Sequence, residues 1–167
     1  RKVWDKGNLT EERLYIGPFE VWRQSDSAGI KEERETVHVM DDQQRICMIE
    51  TLTQTQSSTP VPDTRFRFQL TDHLGTALLE VDVLGAVVSY EEYHPYGTTA
   101  WWAEKSGLQV SSKRYRYTGK ERDDETGLGY HKHRYYIPWL GRWARADPLG
   151  VGDGSNRFVY VYSSPCN

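Results

Sequence analysis

Runs of alternating apolar and polar residues, each closed by turn residues, recur along most of this chain. In residues 1–53 the runs RLYIG, EVWRQ, ETVHVM and RICMIETLT are separated by residues 25–29 and by Asp41-Asp42. Val37 and Val39 flank His38, and Ile46, Cys47 and Met48 form a denser apolar patch, so two antiparallel strands joined across residues 41–44 is the simplest reading. Helical periodicity is absent. Arg65-Phe66-Arg67-Phe68 resumes the alternation. Tyr115 and Tyr117 alternate with Arg114 and Arg116, and Phe158, Tyr160 and Tyr162 alternate with Val159 and Val161, which predicts strands at both places. Residues 54–63, rich in Gln, Ser, Thr and Pro, read as a flexible loop open to proteolytic nicking. Residues 103–110, after Trp101-Trp102, read as a short helical turn or a loop.

A loose repeat underlies the alternation. Gly75, Gly85 and Gly97 are spaced 10 and 12 residues apart, as are Gly7, Gly17 and Gly29, each at the close of a predicted turn. A repeat of that length is one hairpin. A lone hairpin cannot bury a face, so such units stabilise one another by lying side by side in a long sheet. The predicted fold is all-β.

Composition sharpens this picture. Only 37% of residues are hydrophobic, yet 13% are aromatic, with 11 Tyr and 6 Trp. Burial must come largely from rings with polar tips, which suits a sheet surface better than an aliphatic helical core. A formal charge of -3 and a pI near 6.0 give no general attraction to nucleic acid or to an anionic membrane. No apolar run approaches the ~20 residues of a spanning helix. The opening RKVWDKGN has neither an initiator Met nor a signal-peptide pattern, so the chain reads as a piece of a longer polypeptide. Cys47 and Cys166 lie far apart and predict no disulfide framework; Cys47, within RICMIE, reads as a small buried hydrophobe.

Residues 114–148, RYRYTGKERDDETGLGYHKHRYYIPWLGRWARADP, concentrate rings, arginines and turn residues. Thr118-Gly119 breaks the first run, residues 120–127 read as an exposed turn, Pro138 marks a strand end, and Gly141 puts a small residue beside large rings. The order R-Y-x-x-T-G-K-E-R-D-x-x-T-G-L-x-Y-x-x-x-R-Y-Y-x-P-W-L-G-R-W-x-x-x-D-P-L-G resembles the Rhs repeat-associated core domain, which ends the YD-repeat shell of bacterial Rhs toxins and of Tc toxin complex C components. Residues 71–102, with SYEEYHPYG, resemble the repeats that lead into that core, and the tail GDGSNRFVYVYSSPCN resembles its ending.

The resemblance implies YD-type hairpin repeats over residues 1–111, with the loop near 54–63, and the core over 112–167. It implies a sheet that spirals into a hollow shell around an unfolded toxin, closed by the core. Implied partners are the rest of the shell, the enclosed C-terminal toxin and, on the Tc reading, the B component. No nucleic acid partner, membrane span or cofactor is implied, and the protein would be secreted. The family's core cuts its own chain by aspartic-protease-like chemistry, in which two carboxylates share a proton and activate a water. Asp147 of R-A-D-P-L-G matches one family carboxylate and Arg134 of R-Y-Y matches the arginine associated with cleavage. The second carboxylate belongs to a D-P-x-G-L element after the ending, so residues 1–167 are expected to take part, at most, in a single-turnover self-cleavage. This chain departs from the pattern in S-S-P for N-N-P and in G-Y-H-K-H before Arg134.

On the residues alone, Asp147 reads as the cap of the turn before Pro148, and Arg134 as a guanidinium stacked on Tyr or Trp rings. His131 and His133 read as two imidazoles on one face of a strand, too few for a metal site. Residues 121–125 (ERDDE) read as a solvated turn in preference to an Asp123-Asp124 acid pair. The alternative function is an extracellular recognition module that presents rings and arginines to a glycan or a protein. Buried rings favour the shell, and an exposed aromatic groove favours recognition.

Overall fold

A computed structural model describes residues 1–42, 44–105, 111–148, 150 and 155–165. The chain is all-β and divides into two compact units, Arg1–Gln69 with Val81–Ala86, and Leu70–Glu80 with Val87–Asn167. The first holds β1 (Lys2–Asp5), β2 (Thr10–Ile16), β3 (Phe19–Asp26), β4 (Gly29–Asp41), β5 (Gln44–Thr55) and most of β6 (Asp63–Thr71). Each strand pairs antiparallel with the next in an uncrossed meander. The second holds β7 (Ala77–Val81), β8 (Val87–Tyr93) and β9 (Thr99–Glu104), and a separate sheet of β10 (Glu121–Arg122), β11 (Gly129–His131), β12 (Arg134–Ile137) and β13 (Arg142–Trp143) in that order.

The glycine spacing is a turn spacing. Asp72 Oδ1 accepts from the amides of Leu74 and Thr76 at 2.9 and 2.8 Å, and Asp82 Oδ1 accepts from Leu84 and Ala86 at 2.9 Å each. Gly75 and Gly85, at φ 76 and 75, then donate back to the Asp72 and Asp82 carbonyls. His94 and Gly97 repeat the backbone bonds of this turn without the carboxylate. Asp82→Ala removes two acceptor contacts at an accessible turn. The expected loss is about 1 kcal/mol in chemical denaturation, with the same fold by circular dichroism.

In the first unit, strand alternation puts charges on the buried face. Glu20, Glu50 and Arg67 are almost fully buried. Arg13 reaches Glu20 at 3.4 Å, His38 Nε2 lies 2.9 Å from Glu20, and Glu50 takes Arg34 at 3.0 Å and Arg67 at 3.7 Å. Buried charges persist only when paired, and here each partner comes from the neighbouring strand of the meander. The opposite face carries a cross-strand row of Phe19, Val37, Ile49 and Phe66, of which Val37 and Phe66 are 40% and 39% exposed.

Several local expectations need correction. Residues 114–117 are not a strand: Tyr115 makes one isolated bridge to Glu121, and Tyr117–Gly119 is a 3-10 turn. The tail is not a strand either. Val159 makes a single bridge to Arg142, and Val161, Tyr162 and Ser163 all take positive φ in a 3-10 turn. Residues 120–127 are only partly an exposed turn, because Glu121 is buried in β10 and takes Arg114 at 2.8 Å. Gln54 and Thr55 extend β5, and a chain of hydroxyl contacts joins Thr55, Ser57 and Thr59. Ala103 and Glu104 belong to β9; the remainder of the 103–110 expectation, from residue 106, and that for Cys166 fall outside the described residues. Cys47 is a buried free thiol, and burial raises its pKa.

Candidate functional site

The site is built on the β11–β12 hairpin. Lys132 adopts φ 62, so residues 132–133 form a tight turn and His131 and His133 do not share a strand face. That corrects the expected imidazole pair. His131 instead turns into a ring cluster, 5.1 Å from Trp143, 5.8 Å from Tyr136 and 5.9 Å from Tyr160, all edge-on. Tyr136 and Tyr160 lie 4.1 Å apart and are 1% and 5% exposed. The Tyr136 hydroxyl donates to the Tyr96 carbonyl at 2.9 Å, which satisfies the polar tip of a buried ring. Burial raises the Tyr136 pKa.

Register then places the charged pair. Tyr136 opposes Trp143 across the β12–β13 ladder. The Arg134 guanidinium lies 4.1 Å from the Trp143 ring centroid, and its Nη1 reaches Asp147 Oδ2 at 2.9 Å. The Asp147 backbone is tied to Arg157: its amide donates to the Arg157 carbonyl at 2.8 Å, and Arg157 Nη2 donates to its carbonyl at 2.9 Å. Both predicted site residues are therefore brought together, half-buried, with the arginine stacked on one ring. An opposite charge at this distance holds the carboxylate toward Arg134. Asp123 and Asp124 sit in the turn after β10, and among the described residues no group of three His, Cys, Asp or Glu is placed to hold a metal ion.

The sequence reading missed a buried charge cluster in the second unit. Glu91, in β8, is fully buried. Its Oε1 accepts from Arg116 at 2.7 Å and Thr99 at 2.6 Å; its Oε2 accepts from Tyr93 at 2.5 Å and lies 3.3 Å from Lys113 Nζ. Lys113 also donates to the Ala77 carbonyl. Arg116 stacks on Trp102 at 4.7 Å. Burial pushes the Glu91 pKa up, but the Thr99 and Tyr93 hydrogen bonds and the two cations outweigh it and hold it below the usual range. Burial lowers Lys113, against Glu91 and Glu80. Residues 22 and 25 apart in sequence meet here, so no local spacing could have announced them. The one clue was the run SYEEYHPYG, with Glu91 between aromatic positions.

The His131 environment has a pH consequence. Burial, with Lys120 and Arg134 adding to it, lowers its pKa from 6.5 to about 4. The unfolded chain then binds the proton more readily, so this contribution to stability is complete above pH ~6.5 and is lost as pH falls toward ~4. Discounted for residual solvent contact, the loss is about 2 kcal/mol. In wild type, urea midpoints should fall across that window; in His131→Phe the slope should flatten.

With this geometry in hand, the chain was compared with known proteins. No family model matches it. It is 48% identical over 107 residues to toxin subunit YenC1 of Yersinia entomophaga, covering 64% of this chain and 11% of that protein. It is 36% identical over 104 residues to toxin protein Tse5 of Pseudomonas aeruginosa, covering 62% of this chain and 7% of that protein. The crystal structure of TcdB2-TccC3 superposes with a TM-score of 0.86 at 32% identity, over 96% of this chain and 8% of that one. The chain is thus similar to Rhs and Tc C-component toxin proteins and has the all-β shell fold of TcdB2-TccC3, and it spans about a tenth of the length of these curated relatives. Among the described residues no helix is long and apolar enough to cross a membrane.

Proposed function

We propose that this chain is a wall segment of a toxin-encapsulating β-shell of the Rhs or Tc C-component type. On this reading residues 1–111 are stacked YD-type hairpin repeats and residues 112–167 are the Rhs repeat-associated core, which closes the cage and takes part in releasing an enclosed C-terminal toxin. Its partners are the rest of the shell, the toxin and, in a Tc complex, the B component, and the protein is exported. The likeness to toxin subunits supports the shell. The observation that carries the cleavage role is the 2.9 Å contact between Arg134 and Asp147 on a ring-packed support.

In this mechanism Asp147, oriented by Arg134, shares a proton with a second carboxylate supplied by a downstream D-P-x-G-L element. One carboxylate takes a proton from water as its oxygen bonds to the scissile carbonyl carbon, and the other donates its proton to the carbonyl oxygen. Collapse of the tetrahedral diol breaks the C–N bond, and the departing amine carries away a proton. The test is to express the chain with its natural downstream sequence and follow its mass. Wild type should separate into two fragments, and Asp147→Asn should be cut at least ~100-fold more slowly. Cleavage of Asp147→Asn at the wild-type rate would remove Asp147 from the mechanism.

A further inference from the structure

The second unit carries a cleft of about 720 Å³ that neither Arg134 nor Asp147 lines. Its volume is within the range of ligand sites. One wall is Pro138, Trp139 and Leu140, with Trp139 and Leu140 exposed by 55% and 58%. Gly141 makes this wall possible. At φ 60 it reverses the chain, and a Cβ there would stand 2.9 Å from the Tyr96 ring. Arg142 follows, its guanidinium 5.0 Å from the Phe158 ring centroid, and both line the cleft.

Charge decides what the cleft fits. Arg142 makes no ion pair among the described residues, although the chain is acidic overall and most of its other arginines are paired. His94 also lines the cleft, and no Asp or Glu does. A guanidinium held over a ring and beside an apolar wall is placed for a carboxylate attached to an apolar neighbour. We propose that this cleft is a peptide-binding site. It takes an extended segment whose apolar side chain packs on Trp139 and Leu140 and whose Asp or Glu carboxylate pairs with Arg142. The site goes beyond the self-cleavage reading and does not depend on it.

The probes are N-acetyl-Leu-Glu-Leu-amide and its glutamine counterpart, titrated into the ¹⁵N-labelled 167-residue chain. The glutamate peptide should shift the Trp139 indole and the Leu140 and Arg142 amides, and bind roughly 10-fold more tightly than the glutamine peptide. Arg142→Gln should erase the preference, Trp139→Ala should weaken both peptides, and Asp147→Asn should change neither. The wild-type comparison stands without any variant. Equal affinity for the two peptides, shifts confined to other residues, no binding at millimolar peptide, or lactose binding at Trp139 in place of peptide would each overturn the proposal.

Discussion

Glu91→Gln is expected to cost about 3–5 kcal/mol, the largest effect of any single side-chain exchange in the second unit. The substitution keeps the shape and removes the charge that faces Arg116 at 2.7 Å and Lys113 at 3.3 Å. Both cations are then left in a site where Lys113 has no solvent exposure. Removing one member of a buried ion cluster costs this much because the survivors keep their desolvation penalty and lose their compensation. Lys113→Met on the Glu91→Gln background should recover part of the loss, since it removes one stranded charge. Chemical denaturation of the four variants in a cycle measures both numbers. Additive losses would mean that the two residues do not form one unit. In wild type the sign with pH follows from the depressed Glu91 pKa: its contribution is present above the unfolded carboxylate value and is lost as pH falls through the folded one.

Gly97→Ala is expected to cost roughly 3 kcal/mol or more, against about 1 kcal/mol for Gly85→Ala. Both glycines have positive φ, 85 and 75, so each alanine carries the left-handed backbone penalty. At Gly85 a Cβ meets nothing within 4 Å, whereas at Gly97 it would sit under 3.0 Å from three atoms of Tyr117. That ring has little freedom to retreat. Its single hydroxyl proton is shared between the Pro95 carbonyl at 2.9 Å and the Pro165 carbonyl at 3.1 Å, and the ring stacks 6.3 Å from Tyr136. The difference between the two variants isolates the cost of overpacking. Equal costs would show that Tyr117 is not fixed.

These two sites mark what was legible in the sequence and what was not. The meander was visible because turn chemistry is local: glycine spacing and the Asp72 and Asp82 side chains act within four residues. The shell class was visible because the run through Arg134 and Asp147 is long and ordered. The arginine–tyrosine run at 114–117 misled, since alternation there serves distant partners. Arg114 reaches Glu121, Arg116 reaches Glu91, and Tyr117 reaches Pro95 and Pro165. Positive φ at Val161, Tyr162 and Ser163 has no local signal, so a β-rich sequence there forms a 3-10 turn. The His131 environment depends on rings from β12, β13 and the tail, which alternation along one strand does not reveal.

The burial of Tyr136 and Tyr160 fits a shell, while the exposed Trp139 lines a separate cleft, and the row Phe19, Val37, Ile49 and Phe66 is a continuous apolar sheet face. Cryo-electron microscopy of the complete natural polypeptide tests this most directly. A hollow sheet in which β1 (Lys2–Asp5) hydrogen-bonds to a preceding strand on its open edge is the expected result. A separate module tethered outside any enclosure, with the open edge of β1 in solvent, would contradict it.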